Sequence, residues 1–145
     1  MINNMERKKI IVTASTFPRW QGDCVPMFVH DQLIFLKKNY PNFEIIVLAP
    51  HHQDAKSYEK APFGKIFRFK YFFPVKFQKL VYPAIMPNLK KNKWLYLQIP
   101  FLIFFEFIAL WRLVLNEKPD FIYSHWFIPQ GIVGGLVELL TGTKH

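Results

Sequence analysis

The sequence predicts an α/β fold in which a parallel β-sheet carries helices on both faces. Nearly continuous apolar runs, as at residues 9–16 and 44–49, are typical of strands that are buried on both sides. Between such runs lie segments whose apolar residues recur at helical spacing. A length of 145 residues with 51% apolar content is enough for one domain with a buried core, and it excludes a disordered chain.

The first βα unit opens the chain. Strand one covers residues 9–16, and helix one covers residues 26–38, where Val29, Leu33 and Leu36 lie at i, i+4 and i+7. Ligands of parallel sheets bind at the carboxyl ends of the strands. The loop between this strand and this helix is therefore the first candidate binding region.

Two further strands and a broken connection follow. Strand two, residues 44–49, is apolar almost throughout and is expected to be buried on both faces. Strand three, residues 66–72, alternates basic with aromatic residues, which predicts a half-exposed strand near the edge of the sheet. Residues 82–92 contain two prolines and are expected to form an irregular connection.

The last third of the chain predicts a long helix, a strand and a second helix. The long helix spans residues 94–116, strand four residues 121–124, and the last helix begins near Pro129 and ends at Gly142. Three leucines of the last helix are expected on its buried side, namely Leu136, Leu139 and Leu140.

The stretch that begins at Leu95 and ends at Leu115 is also about as long as a membrane span. It contains Gln98, Glu106 and Arg112, and a carboxylate near the centre of a span costs on the order of 2.5–3.5 kcal/mol. The strands on either side also require a crossover helix at this place. We therefore expect a helix packed on the sheet, and a transmembrane span is the alternative.

The charge is strongly basic, at +9, and implies acidic partners. Lysines and arginines alternate with large aromatic residues between Lys65 and Trp94, a composition typical of a surface that lies on an anionic bilayer. The alternative is an ordinary solvated basic face. Nucleic acid is not an expected partner, because no recognition helix, aromatic RNA-binding motif or zinc knuckle accompanies the charge.

The expected location is the cytoplasm, peripheral to the inner face of the cell membrane. The single cysteine, Cys24, excludes an internal disulfide and fits a reducing compartment. The first nine residues are polar and charged, and the apolar run behind them is too short for a signal peptide.

Right-handed crossovers give the four predicted strands the order 3-2-1-4, as in a Rossmann-like sheet. The order reverses between strands one and four, so the loops after these strands flank one crevice. The residues of these loops that suit a sugar or phosphate ligand form the candidate site: Arg19, Gly22, Asp23, His125 and Gln130.

Other kinds of site are not supported by the sequence. The first βα turn lacks the glycine fingerprint of dinucleotide sites, and no Walker A pattern is present. His51, His52 and Asp54 do not have the spacing of a zinc site, so no metal is expected. Cys24 has no visible partner base that would make it a nucleophile.

Two segments of the chain resemble glycosyltransferase family 4. Residues 14–23, Ala-Ser-Thr-Phe-Pro-Arg-Trp-Gln-Gly-Asp, followed by Phe28-Val29, resemble the first loop of the family, S-T-F-P-R-W-x-G-D…F-V. Residues 118–126, Lys-Pro-Asp-Phe-Ile-Tyr-Ser-His-Trp, with Pro129-Gln130-Gly131, resemble its P-D-x-I-x-x-H-W…P-x-G. Both motifs have the order and distance of the family, and the resemblance covers almost the whole chain.

The resemblance implies the N-terminal half of a GT-B fold, which has two Rossmann-like domains with the active site between them. It implies a retaining transfer from a nucleotide sugar to a glycan or lipid-linked acceptor in cell-surface polysaccharide synthesis, without metal or cofactor. The loop of Arg19, Gly22 and Asp23 would face the acceptor and the donor diphosphate. His125 and Gln130 would line the acceptor side.

The chain departs from the family at its end. It stops at His145, before the fifth strand, and the donor domain with its glutamate motif does not follow. Residues 1–145 are thus expected to be a single acceptor-binding domain, with the main catalytic residues beyond His145 and no activity by itself. The alternative is a stand-alone basic α/β module that binds a membrane surface or a ligand without catalysis.

Overall fold

The protein is described by a computed structural model covering residues 6–145. Residues 1–5, which belong to the polar N-terminal segment on which the expectation about a signal peptide rests, lie outside it. One five-stranded sheet forms its centre. The strands are β1 (Lys8–Thr13), β2 (Phe43–Pro50), β3 (Tyr58–Ala61), β4 (Gly64–Phe69) and β5 (Phe121–Ser124). The helices are α1 (Phe28–Asn39), α2 (Ile85–Lys91), α3 (Ile99–Glu117) and α4 (Ile132–Thr141).

The predicted strand order is confirmed. The four strands expected from the sequence are β1, β2, β4 and β5, and they run parallel in the order β4-β2-β1-β5. The order therefore reverses between β1 and β5, as the crossover rule requires. At the outer edge of β5, Lys144 pairs in parallel with Phe121.

The sheet is mostly parallel, as predicted, and a short strand that the sequence did not predict makes it mixed. β3 pairs antiparallel with β4 and covers the edge at which strand three was expected to lie half-exposed. The hairpin depends on Gly64, whose φ is +156° and whose place leaves no room for a side chain, because a Cβ would overlap the carbonyl oxygen of Ile45.

The helices lie on both faces, as predicted. On one face, Val29 and Leu33 of α1 pack against one side of β1 and β2. On the other face, α3 and α4 pack against the opposite side of these strands and against Ile122. Successive residues of a strand point to opposite faces, so apolar runs such as Ile10-Ile11-Val12 supply both cores.

Two boundaries differ from the sequence prediction. β1 ends at Thr13, so residues 14–16 already belong to the loop. α2 forms within residues 82–92, where an irregular connection was expected. Pro87 lies in the first turn of α2. Backbone N–H groups in the first turn of a helix have no acceptor within that helix, so a proline there costs no hydrogen bond and the helix can form.

The long apolar segment packs on the sheet by one face only. A 3₁₀ turn over Lys93–Gln98 leads into α3. The buried stripe of α3 comprises Leu102, Glu106, Leu110, Leu113 and Val114. Taken together, Lys93–Glu117 is long and apolar enough to cross a membrane, and about a third of its most apolar stretch is buried.

The predicted buried face of the last helix is wrong. Val133, Gly134 and Val137 face the core, whereas the three leucines expected there are exposed, with Leu139 at 82%. The apolar side chains of α4 form one broad arc, with Gly134, Gly135, Glu138 and Thr141 on the rest of the helix, so the residue pattern does not show which part of the arc faces inward. The valines and the small glycine form the side that fits closely against neighbouring residues, since a Cβ on Gly134 would collide with the ring of His145.

Candidate functional site

The loop after β1 is held by an ion pair between Arg19 and Asp23. Arg19 donates from Nε to Oδ2 at 2.8 Å and from a terminal nitrogen to Oδ1 at 2.7 Å, and its backbone N–H also donates to Oδ2. Both side chains are largely buried. The hydrogen bonds from Arg19 lower the pKa of Asp23 to about 2. The pair therefore stays fully ionised at neutral pH and fixes the shape of the loop.

Aromatic rings enclose the guanidinium of Arg19. Its central carbon lies 4.3 Å from the ring centroid of Trp20 and 4.9 Å from that of Tyr82. The Tyr82 hydroxyl donates to the carbonyl oxygens of Phe17 and Pro50, at 3.2 and 3.0 Å. Burial raises the pKa of Tyr82 to about 12, so it remains a donor. Tyr82 thus fastens the loop to the end of β2.

Arg68 is a second anchor of this loop. It forms an ion pair with Glu59 at 2.6 Å and donates to the carbonyl oxygen of Pro18 at 2.7 Å, and its side chain is completely buried. Arg68 was expected in the basic surface, and Tyr82 was not among the predicted site residues. The strand pattern contains a signal for Arg68, because the apolar Ile66 lies two residues earlier and shares its face of the sheet, whereas no local pattern indicates Tyr82.

Gly22 lies at a sharp turn of the same loop. Its φ is +80°, and the space beside its Cα is open. The neighbouring N–H of Asp23 donates to the carbonyl oxygen of Trp20. Glycine is thus required here by the backbone conformation. The close approach of a ligand to Gly22 stays a prediction.

His125 begins the loop after β5. Its backbone N–H donates to Thr13 at 3.0 Å, and its ring packs against Tyr123 and Phe28, with centroids 4.8 and 6.0 Å away. Burial lowers its pKa, so the imidazole is neutral at neutral pH. Its buried Nε2 has no hydrogen-bond partner among residues 6–145. The ring therefore leaves one buried polar atom without a partner and serves the packing of this loop.

Gln130 lies beneath the surface of this loop. Its side chain is completely buried and faces Glu106 of α3 without good hydrogen-bond geometry, so the carboxylate and the amide are both unsatisfied. Burial raises the pKa of Glu106 to about 8, an effect that the Gln130 amide offsets only in part. The backbone carbonyl oxygen of Gln130 accepts a hydrogen bond from the Ser124 hydroxyl. Gln130 therefore has a structural role beneath the loop.

A crevice of about 640 Å³ lies at the carboxyl ends of the strands, where the sequence predicted one. Its wall includes Ser15 and Thr16 after β1, and Trp126, Ile128 and Pro129 after β5. The start of α1, α2 with the segment before it, and the first turns of α3 with the turn before them supply the rest. The five predicted site residues do not line it. Arg19, Gly22 and Asp23 belong to the outer part of the β1 loop, and His125 and Gln130 precede and support the β5 wall.

The basic segment divides into paired and unpaired groups. Lys65 lies within 4 Å of Glu44 and Glu117, and Arg68 is buried with Glu59. The other lysines of the segment have no carboxylate within 4 Å in the part of the chain that the structure describes: Lys70, Lys76, Lys79, Lys90, Lys91 and Lys93. Exposed aromatic side chains lie among them, at Phe73, Phe77 and Trp94.

The described residues also contain no group of three potential metal ligands. His52 lies 3.6 Å from Asp54, and His51 faces the Gln78 amide at 3.4 Å. Burial lowers the pKa of both histidines. These residues pack around the end of β2.

The chain was compared with protein-family models, with curated proteins and with solved structures. No family model, no curated protein and no solved structure matches it. The α/β assignment accordingly rests on the observed sheet, and the functional argument rests on the residues of the two loops and the crevice between them.

Proposed function

We propose that this chain is the acceptor-binding half of a retaining glycosyltransferase of the GT-B type. It would bind a glycan or lipid-linked acceptor, to which a sugar is moved from a nucleotide sugar. The observation that carries the proposal is the meeting of the two family-4-like segments. They are 104 residues apart in their first positions, yet β1 and β5 are neighbours, so both segments end at one edge of the sheet.

The loop after β1 and the loop after β5 have different roles in this proposal. The Arg19–Asp23 pair keeps the first loop in shape, and Gly22 leaves its outer side open. The ring of His125 packs against Tyr123 and Phe28 and fixes the start of the second loop, whose next residue, Trp126, lines the crevice. Donor binding and the main catalytic groups belong to residues outside this chain, and no metal or cofactor is required.

The acceptor is reached at an anionic membrane surface in this proposal. The unpaired lysines and exposed aromatic residues between Lys70 and Trp94 support it, since this combination favours reversible attachment to anionic lipid. The location would be the cytoplasmic face of the membrane. Participation in cell-surface polysaccharide synthesis follows from the same resemblance.

The test is a transfer assay on the full-length gene product. It is incubated with each of a panel of radiolabelled nucleotide sugars and a membrane lipid extract, and label in the organic phase is counted. We expect one donor to give labelled lipid with the anomeric configuration retained, and residues 1–145 alone to give none. Absence of transfer from every donor, to lipid and to glycan acceptors alike, would contradict the proposal.

A further inference from the structure

The crevice adjoins a groove on the outside of α3. The groove encloses about 470 Å³, and its wall is apolar throughout. Ile99 and Ile103 line both cavities. The two cavities are thus neighbours on either side of these isoleucines, and we call them together the apolar channel.

The outer end of this channel opens on an uncharged face. Phe101, Phe104, Trp111 and Leu115 of α3 are exposed at spacings that place them along one side of the helix. Leu136 of α4, also exposed, lines the groove beside them. From residue 94 to residue 111 the only charged side chain is the buried one of Glu106. An apolar face of this length favours contact with hydrocarbon.

The inner end of the channel has a different chemistry. Ser15, Thr16 and Tyr96 are the hydroxyl-bearing side chains of an otherwise mainly apolar wall, and Ser15 and Thr16 lie in the loop after β1. α2 lines the crevice with Ile85, Met86 and Leu89, and its last turn carries unpaired Lys90 and Lys91. The channel therefore combines a hydrocarbon-lined wall with a few hydroxyls, and a helix that lines it ends in two cations. A sugar or a nucleotide alone would leave most of this wall without polar partners.

We propose that the crevice binds the hydrocarbon chain of a single-chain lipid phosphate, with the phosphate at the Ser15–Thr16 end and the chain running along Ile99 and Ile103. This inference rests on the proposed function only in naming such a lipid as the acceptor. Binding of the chain itself follows from the volume, lining and opening of the channel. The anionic head group complements the lysines of α2.

The experiment measures binding of 12-bromododecyl phosphate to residues 1–145 below its micelle concentration. Bromine quenches tryptophan fluorescence at contact, and Trp126 lines the crevice. We expect saturable quenching that dodecyl phosphate reverses and inorganic phosphate does not. Quenching that does not saturate, or that inorganic phosphate reverses equally well, would overturn the inference.

Two variants locate the bound chain. Met86 is 61% exposed and lines the crevice, so Met86→Asp places a carboxylate there without disturbing the core. We expect binding to weaken by roughly tenfold or more. The matched control is Leu139→Asp, an equal change of charge at an exposed apolar position of α4 outside the channel. Equal affinity of the two variants would overturn the inference.

A variant that fills part of the crevice tests the same binding site without introducing a charge. Ala84 lines the crevice from an extended backbone position, and Ala84→Phe adds volume there. Unchanged affinity in this variant, with a circular dichroism spectrum like that of the wild type, would also contradict the site.

The binding assay separates this inference from the proposed function. If Met86→Asp still sediments with anionic vesicles but no longer binds the bromolipid, the crevice and the membrane surface are distinct sites, as proposed here. If the wild type binds the bromolipid and the full-length product transfers no sugar, the proposed function fails and the lipid site stands.

Discussion

Arg19 and Asp23 show how a loop with few apolar residues acquires a fixed shape. Two side-chain hydrogen bonds and one backbone hydrogen bond converge on a single carboxylate that is nearly buried. The guanidinium lies against two aromatic rings, which shield it from water. The pair occupies the edge of the guanidinium formed by Nε and one terminal nitrogen, which a free arginine would offer to a phosphate, so we expect its main effect to be on the loop.

Replacement of Asp23 tests this role. Asp23→Asn should lower the free energy of unfolding by roughly 1–3 kcal/mol at pH 7, because the buried guanidinium loses its charged partner. The pKa of Asp23 is lower in the folded state, so its contribution is complete above about pH 4 and is lost as the pH falls toward 2. Urea unfolding at pH 7 and pH 3 measures this. Asp54→Asn, at an exposed carboxylate, is the control.

Glu106 behaves in the opposite way. Its pKa is raised by burial to about 8, so the folded state is favoured by protonation and loses stability as the pH rises from about 4.5 to 8. Glu106→Gln removes the titrating group and should raise the free energy of unfolding by on the order of 1 kcal/mol or more at pH 8, with little effect at pH 4. Thermal unfolding across this range checks it. An equal effect at both pH values would contradict the burial of an ionisable carboxyl.

At the scale of elements, prediction succeeded where the residue pattern allows one arrangement. β1 and β2 are apolar runs of strand length between turn-forming residues, and buried parallel strands satisfy that pattern best. β3 was missed because Tyr-Glu-Lys-Ala is short and polar, as an exposed edge strand is expected to be. The predicted buried face of α4 was wrong because only one edge of its broad apolar arc, the edge with the valines, packs on the core, and the leucines are exposed.

The β3–β4 hairpin supplies a prediction at this scale. Gly64→Ala should lower the free energy of unfolding by about 2 kcal/mol or more, because a Cβ at this φ would overlap the Ile45 carbonyl oxygen. Gly135→Ala is the matched control. Gly135 lies inside α4 with open space around it, and this change should add about 0.5–1 kcal/mol by favouring the helix. Chemical denaturation of both variants gives the comparison.

At the scale of the whole molecule, the sequence located the candidate site better than it identified the residues within it. The reversal of strand order follows from the chain connectivity, so the crevice could be predicted. The burial of Gln130, the enclosure of Arg19 and the anchoring by Arg68 depend on contacts between residues far apart in the chain. Local patterns do not contain such contacts.

The basic surface supplies a prediction for the whole molecule. The protein should sediment with anionic vesicles at low salt and be released at high salt, since each lysine near the surface contributes about 1 kcal/mol and salt screens it. Replacing Lys70, Lys76 and Lys79 by Glu should abolish sedimentation. A control with the same net charge replaces Lys38, Lys56 and Lys60, which lie outside the segment, and should retain most of it. Equal losses would show that net charge alone is responsible.

The central claim is that the two loops at the carboxyl ends of β1 and β5 form the acceptor site of a glycosyltransferase. It is tested most directly by sugar transfer to membrane lipid by the full-length product carrying His125→Ala. His30→Ala is the control, since His30 also packs against aromatic rings, Phe17 and Phe63, but lies on α1 outside the two loops. We expect the rate to fall by roughly 100-fold in His125→Ala, because loss of the ring displaces the Trp126 wall and a displacement of about 1 Å costs that much, and to be unchanged in His30→Ala. Wild-type transfer by His125→Ala would contradict the claim.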